Sequence, residues 1–183
     1  MALPPTRSLG GASPITSFAD LLSTAGGIGY IPLAPGTFGS LPGLLVGAGG
    51  HYFCAYWWGL DPTGALGGRA LVGAAILVLL ASAVAIWSIG HTERAWRRHD
   101  DKRIVIDEVV GQMLVTIALP LSWPLYLAAF LLFRLFDIWK PGPAGWVDRN
   151  LASAFGTLLD DLIAALYAVV ILACYLYLGL PTT

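Results

Sequence analysis

LVGAAILVLLASAVAIWSIG, residues 71–90, carries no charged side chain and is as long as the roughly 20 residues a helix needs to cross the hydrocarbon layer of a bilayer. Lipid offers the backbone no hydrogen bonds, so a stretch of this kind must satisfy its own N–H and C=O groups, and a helix does so. The rest of the chain agrees. Hydrophobic residues make up 57% of its 183 residues and charged ones 11%, with a mean hydropathy of +0.74; both lie outside the balance of a water-soluble domain. Apolar stretches run over about 41–60, 66–90, 109–136 and 158–179, separated by polar connectors. These predict an all-α integral membrane protein with about four to five transmembrane or re-entrant helices. Residues 1–17 are expected to form a loose tail, since MALPPTRSLGGASP lacks the charged-then-apolar order of a signal peptide. Residues 18–183 are expected to form a single membrane-embedded domain. A net charge of −1 excludes the basic face that nucleic acid requires. Cys54 and Cys174 lie far apart in apolar stretches and read as small buried hydrophobes.

The stretch 109–136 is interrupted by Pro120 and Pro124, and the residue before a proline resists helical geometry. It is either one kinked span or a hairpin of two short helices. Charge bears on the choice. The connector HTERAWRRHDDKR carries Arg94, Arg97, Arg98, Lys102 and Arg103, so the positive-inside rule puts residues 91–107 at the cytoplasm. A single crossing would leave Asp137 and Lys140 on the opposite side from Asp107 and Glu108. A hairpin returns all four to the cytoplasmic face, at the cost of helices shorter than a full span.

Seven of the eleven carboxylates fall in short clusters: Asp100, Asp101, Asp107 and Glu108; Asp137; Asp160 and Asp161. Acid in an apolar chain is expensive and marks a functional site by default. Its natural compensator is a hard divalent cation, and carboxylate oxygens are the ligands Mg²⁺ prefers. In IVIDEVVGQ, residues 104–112, Glu108, Gly111 and Gln112 share a helix face, the glycine letting a neighbour approach. Acids at a helix start also fit the macrodipole alone, but that does not account for Asp160, Asp161 and Asp137 as well. FRLFDIWKPGPAGWVDRN, residues 133–150, spaces Arg134, Asp137 and Lys140 along one helical stripe that Pro141 ends. Those cations make plain salt bridges, or Lys140, with Arg134 or Arg149, holds phosphate oxygens while Asp137 holds metal. Trp139 and Trp146 read as interfacial anchors. In GTLLDDLIAALYAVV, Asp160 and Asp161 lie in the first turns of the final span above the small Ala164 and Ala165.

GGIGYIPLAPGTFGSLPG, residues 26–43, reads as a loop ahead of an apolar helix. Glycines allow close backbone approach and a helix start attracts anions, which suits a phosphate. Thr37 and Ser40 add hydroxyls there, or Thr37 caps the following helix.

Taken in order, these four motifs resemble the phosphatidylglycerophosphatase A family over about residues 18–178. The resemblance rests on Pro35, Gly36, Thr37, Gly39 and Ser40; on Asp100, Asp107, Glu108 and Gly111; on Arg134, Asp137, Lys140, Pro141, Asp148 and Asn150; and on Gly156, Asp160 and Asp161. It implies a Mg²⁺-dependent lipid phosphatase of the bacterial inner membrane, multi-pass, with its site facing the cytoplasm. Its substrate would be a phospholipid in the bilayer, phosphatidylglycerophosphate, hydrolysed to phosphatidylglycerol and phosphate. Catalysis would fall to Asp107, Glu108, Asp137, Asp160 and Asp161, joined by Asp100 as metal ligands. Substrate would be held by Gly36, Thr37, Gly39, Ser40, Arg134, Lys140 and Arg149. The chain departs from the family in two places. Asp101 follows Asp100 where many relatives have proline, and Ala152, Ser153 and Ala154 replace a His-Gly-Gly run, removing a histidine contact.

The chemistry stands without the family. Hydrolysis of a monoester proceeds through a transition state whose charge sits on the phosphoryl oxygens, so positioning and cation stabilisation dominate. The nucleophile is a water or an aspartate. His51 lies in an apolar span and His91 and His99 flank the basic connector, which disfavours a phosphohistidine; neither cysteine precedes a phosphate loop. The rival from another class is a cation- or proton-coupled transporter, whose acids would sit near the midplane between broken helices. The Gly43 to Gly47 spacing serves either internal packing or association of copies, and leaves the oligomeric state open.

Overall fold

A computed structural model of the chain describes residues 15–178. Residues 1–14 and 179–183, which include most of the expected N-terminal tail and the end of the last apolar stretch, lie outside the described residues. Helices α1 (Phe18–Ser23), α2 (Pro35–Trp57), α3 (Gly68–Trp96), α4 (Ile106–Ile117), α5 (Trp123–Trp139), α6 (Pro143–Asn150) and α7 (Ala154–Tyr177) follow in order, with a 3₁₀ turn at Ile28–Tyr30. Among the described residues there is no strand.

Five of these, α2, α3, α4, α5 and α7, form an up-and-down bundle. Helices α3 and α7 are long and apolar enough to cross a membrane. The stretch 109–136 is a hairpin. Helix α4 has 12 residues and α5 has 17, so they extend about 18 and 25 Å, both short of the roughly 30 Å hydrocarbon layer. The break follows from the prolines: Pro120 lies in the turn, and Pro124 occupies the first turn of α5, where its missing N–H costs nothing.

Helix α2 starts earlier than the sequence suggests. The second half of the expected Gly-Pro loop is its first turns, with Pro35 leading the helix and Pro42 inside it. The glycines there are a packing surface. A Cβ on Gly39 would come 2.8 Å from Val105 Cβ, one on Gly43 would sit 2.9 Å from Gln112 Cβ, and one on Gly47 would sit 2.7 Å from Thr116 Cβ. Repeating on one face of α2, these positions let its backbone lie directly on α4. The Gly43–Gly47 pair thus serves internal packing.

At the far end, His51 is fully buried with its two ring nitrogens 3.1 Å from the Ile117 carbonyl and 3.0 Å from that of Pro62. It ties α2 to the 58–67 connector and to the α4–α5 turn. At the near end, α1 braces the basic connector. Ser17 and Asp20 form a capping box, and buried Asp20 also accepts from Thr92 Oγ1 on α3 at 3.1 Å. The Ser23 carbonyl then accepts the Val105 N–H at 2.8 Å, one residue before α4 begins.

Candidate active site

The near end of the bundle opens into a cleft of about 280 Å³. Six stretches line it: the first turn of α2 (Ala34, Pro35, Gly36), the connector residues His99, Asp100, Lys102 and Ile104, the start of α4 (Asp107, Glu108), the end of α5 (Arg134, Asp137, Lys140), α6 and the residue after it (Asp148, Leu151) and the start of α7 (Gly156, Thr157, Asp160, Asp161). Carboxylates as far apart in sequence as Asp100 and Asp161 meet because α4 begins where α5 ends and α7 begins.

Glycine makes the convergence tight. A Cβ on Gly111 would sit 2.7 Å from the Phe133 ring and 3.3 Å from the Asp161 carbonyl. Its absence brings α5 and α7 up against α4, and Asp161 to Asp107 and Glu108. One oxygen from each of these three carboxylates lies within 4.8 Å of the others. Asp107 and Asp161 are buried, at 7% and 4% exposure. Asp107 Oδ1, Glu108 Oε2, Asp160 Oδ1 and Asp161 Oδ2 are buried without a hydrogen-bond partner among the described residues. Acceptors left this way are costly unless something cationic meets them. Ligands on opposite sides of an octahedral Mg²⁺ lie about 4.2 Å apart, so the cluster fits one small divalent cation with slight side-chain rotation.

Two cations of the site, Arg134 and Lys140, are already engaged by carboxylates. Arg134 Nη1 donates to Asp137 Oδ2 at 2.5 Å and approaches Ser40 Oγ at 3.5 Å. Lys140 closes α5 in a left-handed conformation, φ 47°, which turns it off the helical stripe. Its ammonium donates to Asp148 Oδ1 at 2.6 Å and to Asp160 Oδ2. Burial acts to lower the pKa of that ammonium, but the bonds to Asp148 and Asp160 outweigh it and hold the group above the usual lysine range.

Other expected residues are placed differently. Ser40 is fully buried and donates to the Gly36 carbonyl at 2.9 Å, turned into the helix. Thr37 lies inside the first turn of α2, whose N-cap is Ala34 without a side-chain bond, so Thr37 does not cap it. Neither Thr37 nor Gly39 lines the cleft, and Arg149 sits exposed on the last turn of α6, also outside it. Asp100 does line it. Asp101 does not; it pairs with Arg103 at 2.7 Å and with Arg98 at 3.6 Å. Sequence reasoning missed His99 and Lys102 as cleft residues, since it used the connector's cations only to orient the chain and took only Asp100 from it as a site residue. It also gave Asp148 no role of its own beyond the family pattern. Ser153, in place of the family's glycine run, caps α7 by accepting the Gly156 N–H at 3.1 Å.

Buried carboxylates that could hold a cation, beside two ion-paired cationic side chains and a helix N-terminus, form a cleft whose chemistry suits an anionic, phosphate-like group. The family model for phosphatidylglycerophosphatase A matches residues 21–176. The chain is 37% identical over 158 residues to phosphatidylglycerophosphatase A of Haemophilus influenzae, covering 86% of this chain and 88% of that protein. It is 30% identical over 154 residues to phosphatidylglycerophosphatase A of Escherichia coli, covering 83% and 80%. It is also 35% identical over 156 residues to a putative phosphatidylinositol-3-phosphatase of Bacteroides thetaiotaomicron, covering 84% and 90%. No solved structure gives a significant match. The chain belongs to the phosphatidylglycerophosphatase A family.

Proposed function

We propose that the protein is a Mg²⁺-dependent lipid phosphatase that hydrolyses the terminal phosphomonoester of phosphatidylglycerophosphate to phosphatidylglycerol and phosphate. The observation that carries this reading is the meeting of Asp107, Glu108 and Asp161, with unpartnered buried oxygens, in a cleft at the α2 N-terminus. These three, with Asp100 and Asp137 around them, would hold the metal, and Asp160 beside them is left for proton transfer. Bound there, Mg²⁺ supplies positive charge to the phosphoryl oxygens, where the transition state concentrates its negative charge.

The chain's own groups do the rest. Gly36 leaves room for the Glu108 carboxylate against the α2 backbone, and the helix start favours the charge of the phosphate. Arg134 and Lys140 keep Asp137 and Asp160 fixed in position and add positive charge to the cleft. One oxygen of Asp160 is held by Lys140 and the other has no donor, so it is placed to take a proton from an attacking water. The water oxygen bonds to phosphorus as the P–O bond to the glycerol breaks, and the proton passes to the departing alcohol oxygen.

The transporter reading requires acids near the midplane between broken helices. Here they gather at one end of the bundle, which favours the enzyme. The same end carries the basic connector, and the positive-inside rule then orients the site to the cytoplasm of a bacterial inner membrane.

Phosphate release by purified protein in detergent, measured in parallel on phosphatidylglycerophosphate and phosphatidylinositol 3-phosphate, tests the assignment. The expected kcat/KM is at least about tenfold higher for the first. The reverse preference would move the reading to inositol lipids, and release from neither would overturn it.

A further inference from the structure

Outside the cleft, α5 and α7 flank a shallow, open apolar groove of about 450 Å³ lined by Phe136, Trp139, Pro141, Gly142, Tyr167, Val170 and Ile171. The chemistry proposed above does not use it. The Tyr167 hydroxyl is engaged by the Pro141 carbonyl at 3.1 Å, and its ring meets Phe136 edge-on at 5.4 Å. These contacts hold Tyr167 in the wall of the groove, which offers an apolar ligand a surface to lie against.

Its position relates it to the site. Trp139 and Pro141 flank Lys140, whose ammonium lies in the cleft on Asp160. Cleft and groove thus share one stretch of chain, residues 139–142. On α7, Asp160, Tyr167 and Ile171 stand at i, i+7 and i+11, within about 20° of one stripe. Tyr167 is about 10 Å and Ile171 about 16 Å further along the axis from Asp160. The groove therefore continues the line of the cleft down a helix long and apolar enough to span a membrane.

We infer that this groove holds an acyl chain of the lipid whose phosphomonoester enters the cleft. The inference rests on the lipid-phosphatase reading. Bilayer tails are as apolar as the groove, so little is gained by transferring a chain into it. Its effect is positional: it fixes one chain relative to Asp160 and so limits the directions from which the headgroup reaches the carboxylates. A lipid tail lying against the outer face of α3 has no such connection to the chemistry.

Filling the groove tests this. Ile171→Trp and Val170→Trp are compared with the parent on dipalmitoyl phosphatidylglycerophosphate and on its deacylated, water-soluble headgroup ester. The expected result is a fall of at least about tenfold in the ratio of diacyl to deacylated kcat/KM, carried by KM. An unchanged ratio would overturn the proposal, whether both activities persist or fall together. A second readout does not need turnover: phosphatidic acid with a diazirine near the end of one chain is photolysed with the parent protein. Labelling concentrated on residues 136–142 and 167–171 supports the groove, and labelling spread evenly around α3 and α7 shows boundary lipid only and overturns it. A parent that hydrolyses neither ester refutes the proposed activity, while the labelling still decides the groove.

Discussion

Gly36 on α2 and Glu108 on α4 face each other so closely that a Cβ on the glycine would overlap the Glu108 carboxylate oxygen and sit 3.3 Å from Arg134 Nη2. One missing side chain thus sets the position of a carboxylate and a guanidinium at once. Gly36→Ala is expected to lower kcat by at least about tenfold, because displacements of even 1 Å at such sites cost about a hundredfold. Gly49, on an open face of the same helix with nothing within 4 Å of its Cβ position, is the control: Gly49→Ala should leave activity unchanged. Equal activity in both variants would mean that the Gly36–Glu108 contact does not organise the site.

Asp107→Asn, Glu108→Gln and Asp161→Asn each remove an anionic oxygen from the cluster without changing its shape. Each is expected to reduce turnover by about a hundredfold or more while the protein still inserts, since the loss of a mere supporting contact to a ligand costs roughly 10 to 100-fold. Two of these variants turning over at the parental rate in saturating Mg²⁺ would rule out a shared site.

Asp101 should behave differently from its neighbour Asp100. The hydrogen bond from Arg103 holds the Asp101 carboxyl below the ordinary carboxylate range, against the effect of burial. A depressed pKa contributes stability that is complete above the unfolded value, about 3.9, and is lost as pH falls through the folded one. Melting temperature in detergent should therefore drop below about pH 4 in the parent. Asp101→Asn should lower it by about 2–4 °C at neutral pH, the effect of roughly one interaction in a chain of this size, and flatten the acid slope, with turnover largely kept. Asp100→Asn should instead reduce turnover. An acid slope identical in parent and Asp101→Asn would dissociate the ion pair from stability.

The hairpin sets which loops share a side of the membrane. In a background lacking Cys54 and Cys174, single cysteines at Arg98 and Ala152 should react with an impermeant thiol reagent only in inside-out vesicles, and a cysteine at Ala65 only in right-side-out ones. Opposite accessibility of positions 98 and 152 would mean that residues 109–136 cross once, and the carboxylates would no longer share a face.

The long helices could be read from hydropathy because a lipid environment leaves few alternatives for an apolar backbone, and the carboxylates could be read because acid is rare in such a chain. What escaped reading was set by packing. The glycines at 36 and 39 look like loop formers by propensity, yet they lie in α2, where α4 and the residue before it occupy the space their side chains would fill. Helix α6 is short and polar, and α1 is one turn and a half; neither carries a hydrophobic period long enough to detect. By residue type Thr37 and Ser40 fit either phosphate contacts or a helix cap, but where a hydroxyl points depends on the helix that contains it, and Ser40 turns back onto Gly36. The cleft positions of His99 and Lys102 depend on how the connector is braced by α1 and the Ser23–Val105 bond, a contact between distant segments that no local pattern encodes.

Asp107, Glu108 and Asp161 are proposed to hold a divalent cation that the hydrolysis requires. Phosphate release from phosphatidylglycerophosphate as a function of Mg²⁺ concentration, in chelator-treated parent protein and in Asp161→Asn, tests this. No release is expected without added metal, with saturable recovery in the parent and a midpoint raised at least about tenfold in the variant. Full activity of the parent in excess chelator would contradict it.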